Sequence, residues 1–150
     1  MLYVNFDFYK VSTIMRNFRH LLIWEKSMEI ATDIYFFAAS LPTEEKYGIR
    51  SQITRAAVSM PSNIAEGCSR SSDKEYMHYL EISLGSSFEL ETQLTICKLI
   101  NIGDHSIGEK ILISLSDFQK MLNVYTTKIG NNSTINQKLK ASSLKLKANS

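Results

Sequence analysis

Residues 21–41 read LLIWEKSMEIATDIYFFAASL, and apolar side chains recur through them every three or four positions. An α-helix of 3.6 residues per turn places such positions on one stripe of its surface. The first stripe consists of Leu21, Trp24, Met28, Ala31, Tyr35 and Ala38. The spacing therefore predicts an amphipathic helix over about residues 17–40.

A second apolar series lies on another side of the same predicted helix. A helix on the outside of a monomeric bundle needs only one apolar stripe, and large apolar side chains left in water each forgo about 1.5–3 kcal/mol. We expect the first stripe to face the bundle interior and the second to face another subunit in a closed, heterologous ring. The predicted oligomer interface consists of Ile23, Ile30, Ile34 and Phe37.

Three further periodic blocks follow, at about residues 44–67, 72–100 and 106–129. The last two each open with a Ser-x-x-Glu pattern typical of a helix N-terminus, and Gly130 is a typical C-terminal stop. Pro61 is expected to kink or divide the second helix, and Gly85 suggests a close helix approach. Four such helices with short connections predict an all-α, antiparallel up-down-up-down four-helix bundle.

The ends of the chain differ from its centre in composition. Residues 131–150 carry four lysines and no acid, whereas residues 15–130 carry 12 basic and 14 acidic residues, a net charge of −2. We expect a poorly ordered N-terminal extension at 1–14, a bundle domain at 15–130 and a disordered Lys/Ser/Asn-rich tail at 131–150.

No motif marks the chain as an enzyme. The three histidines have no His or Cys at ligand spacing, the two cysteines form no Cys-x-x-Cys pair, and Glu75 and His78 form a single Glu-x-x-His where a di-iron bundle needs two. We expect no catalytic residue, metal or cofactor. Because long apolar runs and a basic N-terminal leader are absent from the sequence, we expect a cytoplasmic protein without a membrane partner.

Polar residues at helical spacing on the second and third helices predict a buried network. If a turn near residue 70 joins antiparallel helices, Arg55 lies within one turn of Glu89. Such networks usually specify register, and a binding groove is the alternative interpretation. The predicted members are Gln52, Arg55, Ser59, Asn63, Glu66, Ser86, Glu89 and Gln93.

The basic residues allow a second hypothesis, in which the chain binds RNA or DNA phosphates. The alternative for the tail is solubility, because no aromatic residue follows Tyr125 to stack on bases. The candidate nucleic-acid contacts are Arg50, Arg55, Arg70, Lys74, Lys138, Lys140, Lys145 and Lys147.

Several segments resemble one known family. These are residues 22–35 (LIWEKSMEIATDIY), 55–67 (RAAVSMPSNIAEG) and 84–94 (LGSSFELETQL). They are similar to the 23S ribosomal RNA intervening-sequence proteins, also called four-helix bundle proteins, most of which have no assigned activity. The accessory variability protein of diversity-generating retroelements is similar as well. It forms a pentamer, and it binds nucleic acid and a reverse transcriptase through a basic surface.

Together these observations predict a non-enzymatic, homo-oligomeric scaffold or adaptor whose main partner is a copy of itself. The resemblance favours a pentamer. The alternative is an accessory protein that binds RNA or DNA through the basic residues of helices two and three and of the tail.

Overall fold

The computed structural model describes residues 16–148, with side chains described to Ala141. Four helices make up most of this part: α1 (Leu22–Ala39), α2 (Ile49–Cys68), α3 (Asp73–Leu99) and α4 (His105–Ala148). Short 3-10 helices lie at Phe18–His20 and Thr43–Tyr47, and residues 16–148 contain no strand. The predicted all-α four-helix bundle is confirmed. The expectation for residues 1–14 lies outside the described residues.

Neighbouring helices run in opposite directions. Between α2 and α3, Ser59 contacts Ser86, whereas Gly67, two turns further along α2, lies against Tyr79, two turns earlier on α3. The same opposed order joins α4 to its neighbours: the contacts are Tyr76–Tyr125 and Lys98–Glu109 with α3 and Asp33–Lys110 with α1. This is the expected up-down-up-down arrangement.

The core follows the helical period in α2, α3 and α4. The buried residues of α2 include Ile53, Ala56, Met60 and Ile64, and those of α4 include Ile111, Leu115, Phe118 and Leu122. On α3 the buried stripe is Tyr76, Leu80, Ser83, Ser87, Leu90, Leu94 and Cys97. In each of these helices the buried side chains recur every three or four positions, as expected for the three periodic blocks.

The orientation predicted for α1 is wrong. The four residues assigned to the oligomer interface are in the core of a single chain, with exposed fractions of 4% (Ile23), 1% (Ile30), 0% (Ile34) and 2% (Phe37). From the opposite stripe, Met28 is 41% exposed and Tyr35 58% exposed. Both stripes are apolar, so spacing alone could not order them. Branched aliphatic side chains fill an interior without unmet hydrogen bonds, whereas a tyrosine hydroxyl favours a partly wet site.

The predicted start of α3 is confirmed and that of α4 is shifted. The Ser72 hydroxyl accepts a hydrogen bond from the backbone N–H of Glu75 and donates one to its carboxylate, at 3.2 and 2.8 Å. For α4 the capping residue is Asp104, which accepts from the N–H of Ile107 at 2.9 Å, and Ser106 lies inside the helix. Aspartate caps a helix as well as serine does, and it comes directly after the turn.

Two helices continue where a division or an end was predicted. Helix α2 is not divided at Pro61, where a kink or a division was expected, and α4 continues through Gly130 to Ala148. The expected disordered tail is therefore wrong for residues 131–148, which are helical. An internal glycine costs only about 1 kcal/mol relative to alanine, and no proline follows it. The extension is also anchored, because the Ser133 hydroxyl donates to the Asp73 carboxylate at 2.6 Å.

The close helix approach expected at Gly85 is at Gly67 instead. A Cβ added at Gly85 would meet no atom within 4 Å, whereas one added at Gly67 would lie 2.8 Å from the Cβ of Tyr79 and 3.0 Å from the Tyr76 ring. The glycine thus lets the end of α2 lie directly against α3.

This difference predicts opposite effects of one substitution at two glycines. Gly67→Ala should lower the free energy of unfolding by about 1–3 kcal/mol, because the new methyl group overlaps side chains of α3. Gly85→Ala should raise it by up to about 1 kcal/mol, because only helix propensity changes. Urea unfolding followed by circular dichroism measures both. Equal effects of the two substitutions would contradict the close approach.

The two cysteines provide a chemical test of the core. Cys68 is 2% exposed and Cys97 0% exposed, and burial raises the pKa of both thiols. Because the thiolate is the reactive form, neither thiol should react with a thiol-specific reagent in the native protein at pH 8, and both should react in denaturant. Rapid labelling of either cysteine under native conditions would show that the core opens there.

Candidate interaction surfaces

Three of the predicted network residues form one cluster between α2 and α3. The Ser59 and Ser86 hydroxyls are 2.8 Å apart, and the Asn63 side-chain amide donates to Ser59 Oγ at 3.0 Å. Ser86 is buried, and Ser59 and Asn63 are half-buried. These short side chains satisfy one another across the helix pair, so their arrangement is structural.

The other predicted members lie apart from this cluster. Gln93 donates to the Glu89 carboxylate at 3.1 Å, along one side of α3. Gln52 and Arg55 are exposed, and no described ion pair joins Arg55 to Glu89. The expected Arg55–Glu89 pair is therefore wrong. The contacts of Ser59 with Ser86 and of Ser83 with Met60 place Arg55 level with Glu89, but both side chains are exposed and lie outside the contact between the two helices.

Ser83 was not recognised as a polar contact. Its hydroxyl is fully buried and donates to the Met60 carbonyl of α2 at 2.9 Å. Together with Ser86 and Ser87 it forms a run of small buried residues on α3. The signal was present as serines three and four positions apart at apolar stripe positions, where small side chains permit close helix packing.

Two candidate nucleic-acid contacts are engaged inside the molecule. The Arg50 guanidinium donates to the carbonyls of Leu41 and Pro42, just after α1 ends. Arg70 pairs with Glu66 at 2.6 Å and donates to the Tyr79 hydroxyl. Both arginines are half-buried, and their guanidinium groups already contact groups of the same chain near helix ends and turns.

The other candidate cations lie on exposed surface. Arg55 and Lys74 are exposed on α2 and α3, and Lys138 and Lys140 are exposed on the C-terminal part of α4. Lys145 and Lys147 lie within α4, but their side chains are outside the described residues. The chain has no acidic residue after Asp117, so the last third of α4 is purely basic.

A cluster of contacts joins the chain near Arg16 to α3 and α4. The Arg16 guanidinium pairs with Asp73 and lies 4.3 Å from the centre of the Tyr76 ring. Tyr76 is fully buried, and its hydroxyl is 3.0 Å from that of Tyr125. Burial, followed by this hydrogen bond, raises the pKa of Tyr76, so its hydroxyl stays neutral and serves a structural role.

An apolar exposed surface lies along α1 and α2. We call it the α1–α2 face and define it by Trp24, Met28, Tyr35 and Val58. These residues line a shallow groove of about 370 Å³, and the Trp24 ring packs edge-on against Phe18 with 5.2 Å between ring centres. The lining contains no lysine, arginine, histidine, aspartate or glutamate. The arrangement fits contact with another apolar surface.

A second groove lies between the start of α1 and the middle of α4. It has a volume of about 540 Å³ and apolar walls. The walls include Leu21, Leu22, Met121, Val124 and Tyr125, and the basic residues His20, Lys120 and Lys128 lie along its edges. No acidic residue lines this groove.

Residues 16–148 contain neither a cluster of metal ligands nor a membrane-spanning helix. No three side chains among the described histidines, cysteines, aspartates and glutamates converge as metal ligands. In the same part of the chain, no helix has the length and apolar character that a bilayer crossing requires.

Comparison with known proteins agrees with the fold. No curated protein matches the chain. One solved structure, of a protein with unknown function from the S23 ribosomal protein family of Bacteroides thetaiotaomicron, has a TM-score of 0.63 at 23% identity. The match covers 70% of this chain and 98% of that one, and it shows a shared fold. A family model matches residues 19–124, well over half of the sequence and nearly all of the bundle. The chain belongs to the 23S rRNA-intervening sequence protein family.

Proposed function

We propose that this protein is a non-enzymatic scaffold or adaptor that works as a homo-oligomer. The single observation that carries the proposal is the α1–α2 face. Its residues Met28, Tyr35 and Val58 are 41%, 58% and 41% exposed, and they lie side by side with half-buried Trp24. Clusters of exposed apolar side chains mark interaction sites on soluble proteins.

The chemistry of the face favours a protein partner. Tryptophan, tyrosine and methionine are enriched at protein–protein interfaces, and the two aromatic side chains provide a large contact area at a small cost in conformational entropy. The polar ends of the two aromatic side chains tolerate water while the face is uncovered. A second copy of the chain is the partner that is always present at equal concentration.

We propose a closed ring as the form of the assembly, and a pentamer on the basis of the accessory variability protein that the sequence resembles. A heterologous contact repeats from subunit to subunit until the ring closes, so each α1–α2 face is covered. We also propose a cytoplasmic location. The free, buried thiols of Cys68 and Cys97 are typical of a reducing compartment.

Light scattering of the purified protein tests the assembly. We expect the mass of an oligomer at micromolar concentration. The double variant Met28→Lys/Tyr35→Lys should remain helical, because both side chains are already exposed. It should nevertheless scatter as a monomer, because two lysines cannot be buried in an apolar contact without partners.

The matched control places the same two charges on α3. Thr92→Lys/Thr95→Lys changes exposed polar positions away from the α1–α2 face and should leave the oligomer intact. A monomeric wild-type protein would contradict the assembly itself. A Met28→Lys/Tyr35→Lys variant that keeps its mass would place the interface elsewhere.

Nucleic-acid binding is the second candidate function, and the basic end of α4 favours it. The sequence of this part of α4 has lysines and no acidic residue, which suits contact with phosphates. The candidate ranks second because Arg50 and Arg70 already have internal partners, which leaves few cations to form a continuous surface.

Salt dependence distinguishes the two functions. We expect a labelled single-stranded RNA to bind weakly at low salt, without sequence preference, and to dissociate near physiological ionic strength. Replacing Lys138, Lys140, Lys145 and Lys147 with glutamine should remove most of this binding. In a plot of the logarithm of the binding constant against the logarithm of the salt concentration, each lost phosphate contact should reduce the slope by about 0.7. Tight binding at physiological salt, measured by fluorescence anisotropy, would reverse the ranking.

A further inference from the structure

A row of apolar side chains follows one side of α4 beyond the bundle. At about 100° per residue, four apolar positions and the lysine between them fall within about 60° of one another on the helix surface. We define the α4 stripe as Met121, Val124, Lys128, Ile135 and Leu139. Val124, Ile135 and Leu139 are 55%, 54% and 63% exposed. An apolar row this exposed is unusual on a helix that also serves a core.

The stripe is distinct from the side of α4 that forms the core. Leu115 and Leu122 are fully buried, and the helical period places them about 110° away from the stripe. Ser133, which contacts Asp73 on α3, lies on the core side as well. The bundle therefore covers one side of α4 and leaves the stripe open.

The second half of the stripe belongs to a helix that has run past its neighbours. Every described side chain from Thr134 to Ala141 is exposed, although the backbone stays helical to Ala148. A partner that contacts this part of α4 would cover the exposed side chains of Ile135 and Leu139.

The first half of the stripe has a preformed wall. Met121 and Val124 line the groove of about 540 Å³ whose other side is Leu21 and Leu22 at the start of α1. Grooves of this kind receive the apolar side of an amphipathic helix in other proteins, with anchoring residues three, four and seven positions apart. Groove and stripe together span about 27 Å along α4, or about five helical turns.

Charge indicates which helix fits. Lys120, Lys128 and Lys138 lie on or beside the stripe, and His20 lies at the groove edge. With no acidic residue after Asp117, this surface attracts acids and repels a second α4, which has the same lysines. Nucleic acid would meet the lysines but would gain nothing from Val124 and the apolar residues that follow it.

We infer that the groove and the α4 stripe form a docking site for an amphipathic helix with acidic flanks, contributed by another protein. The apolar side of this helix covers Val124, Ile135 and Leu139, and its carboxylates face the lysines beside them. The site uses a different surface from the α1–α2 face, so it stands whether the chain is a monomer or a ring.

The probe is a fluorescein-labelled peptide of about 18 residues, the length of five turns, with leucines at the three-four spacing and glutamates on both flanks. A reference peptide keeps the leucines and carries lysines instead. With the full chain, fluorescence anisotropy should show binding of the glutamate peptide at least about tenfold tighter than that of the lysine peptide. The preference should shrink as salt is added.

Variants locate the site. Val124→Ser/Ile135→Ser/Leu139→Ser should weaken binding of the glutamate peptide by at least about tenfold. The matched control Ile82→Ser/Phe88→Ser/Ile96→Ser removes three exposed apolar side chains from α3 and should leave binding unchanged. Because serines can loosen the end of α4, Lys120→Gln/Lys128→Gln/Lys138→Gln provides a second test that keeps helix propensity. It should abolish the preference for glutamate over lysine.

Several outcomes would overturn the proposal. The first is equal binding of the two peptides, or binding of neither. Another is binding only to vesicles of anionic phospholipid or only to RNA, which would assign the lysines to a different partner. A serine variant of the stripe that loses mass in light scattering would assign the stripe to a second copy of the chain. If only the Met28→Lys/Tyr35→Lys variant has a lower mass in light scattering, the result does not contradict the docking site.

Discussion

The close packing of α2 against α3 sets the geometry of the rest of the bundle. Gly67 brings the end of α2 against Tyr79, and the buried Ser83 hydroxyl reaches across to a carbonyl of α2. These contacts need small groups at fixed positions, so they permit one register between the two helices. That register places Tyr76 where it meets Tyr125, and it thereby fixes how far α4 runs past the start of α3.

Much of the fold follows from periodicity, because apolar side chains recur every three or four residues in each of the four helices. The number of helices, their order and most core residues of α2, α3 and α4 could be predicted. The orientation of α1 could not. Its two stripes are similarly apolar, and only the packed bundle distinguishes the compact aliphatic stripe of Ile30 and Ile34 from the aromatic one that contains Tyr35.

The sites were harder to predict than the helices. The α2–α3 register brings Arg55 level with Glu89, but both side chains lie on the exposed surface, and helical spacing alone does not tell which side of a polar series contacts the next helix. The part of α4 past Gly130 makes a long-range contact, from Ser133 to Asp73, which no local pattern reveals. The α1–α2 face and the α4 stripe depend on which apolar side chains the core buries, so neither could be predicted before the core was known.

The length of α4 has a consequence for any assembly that the chain forms. At 44 residues the helix is about 66 Å long, far longer than the 18 residues of α1. In a ring with cyclic symmetry, all copies of the projecting end leave from the same side. A partner with several acidic helices would then be held at many points at once, and weak single contacts would add up to slow release through avidity.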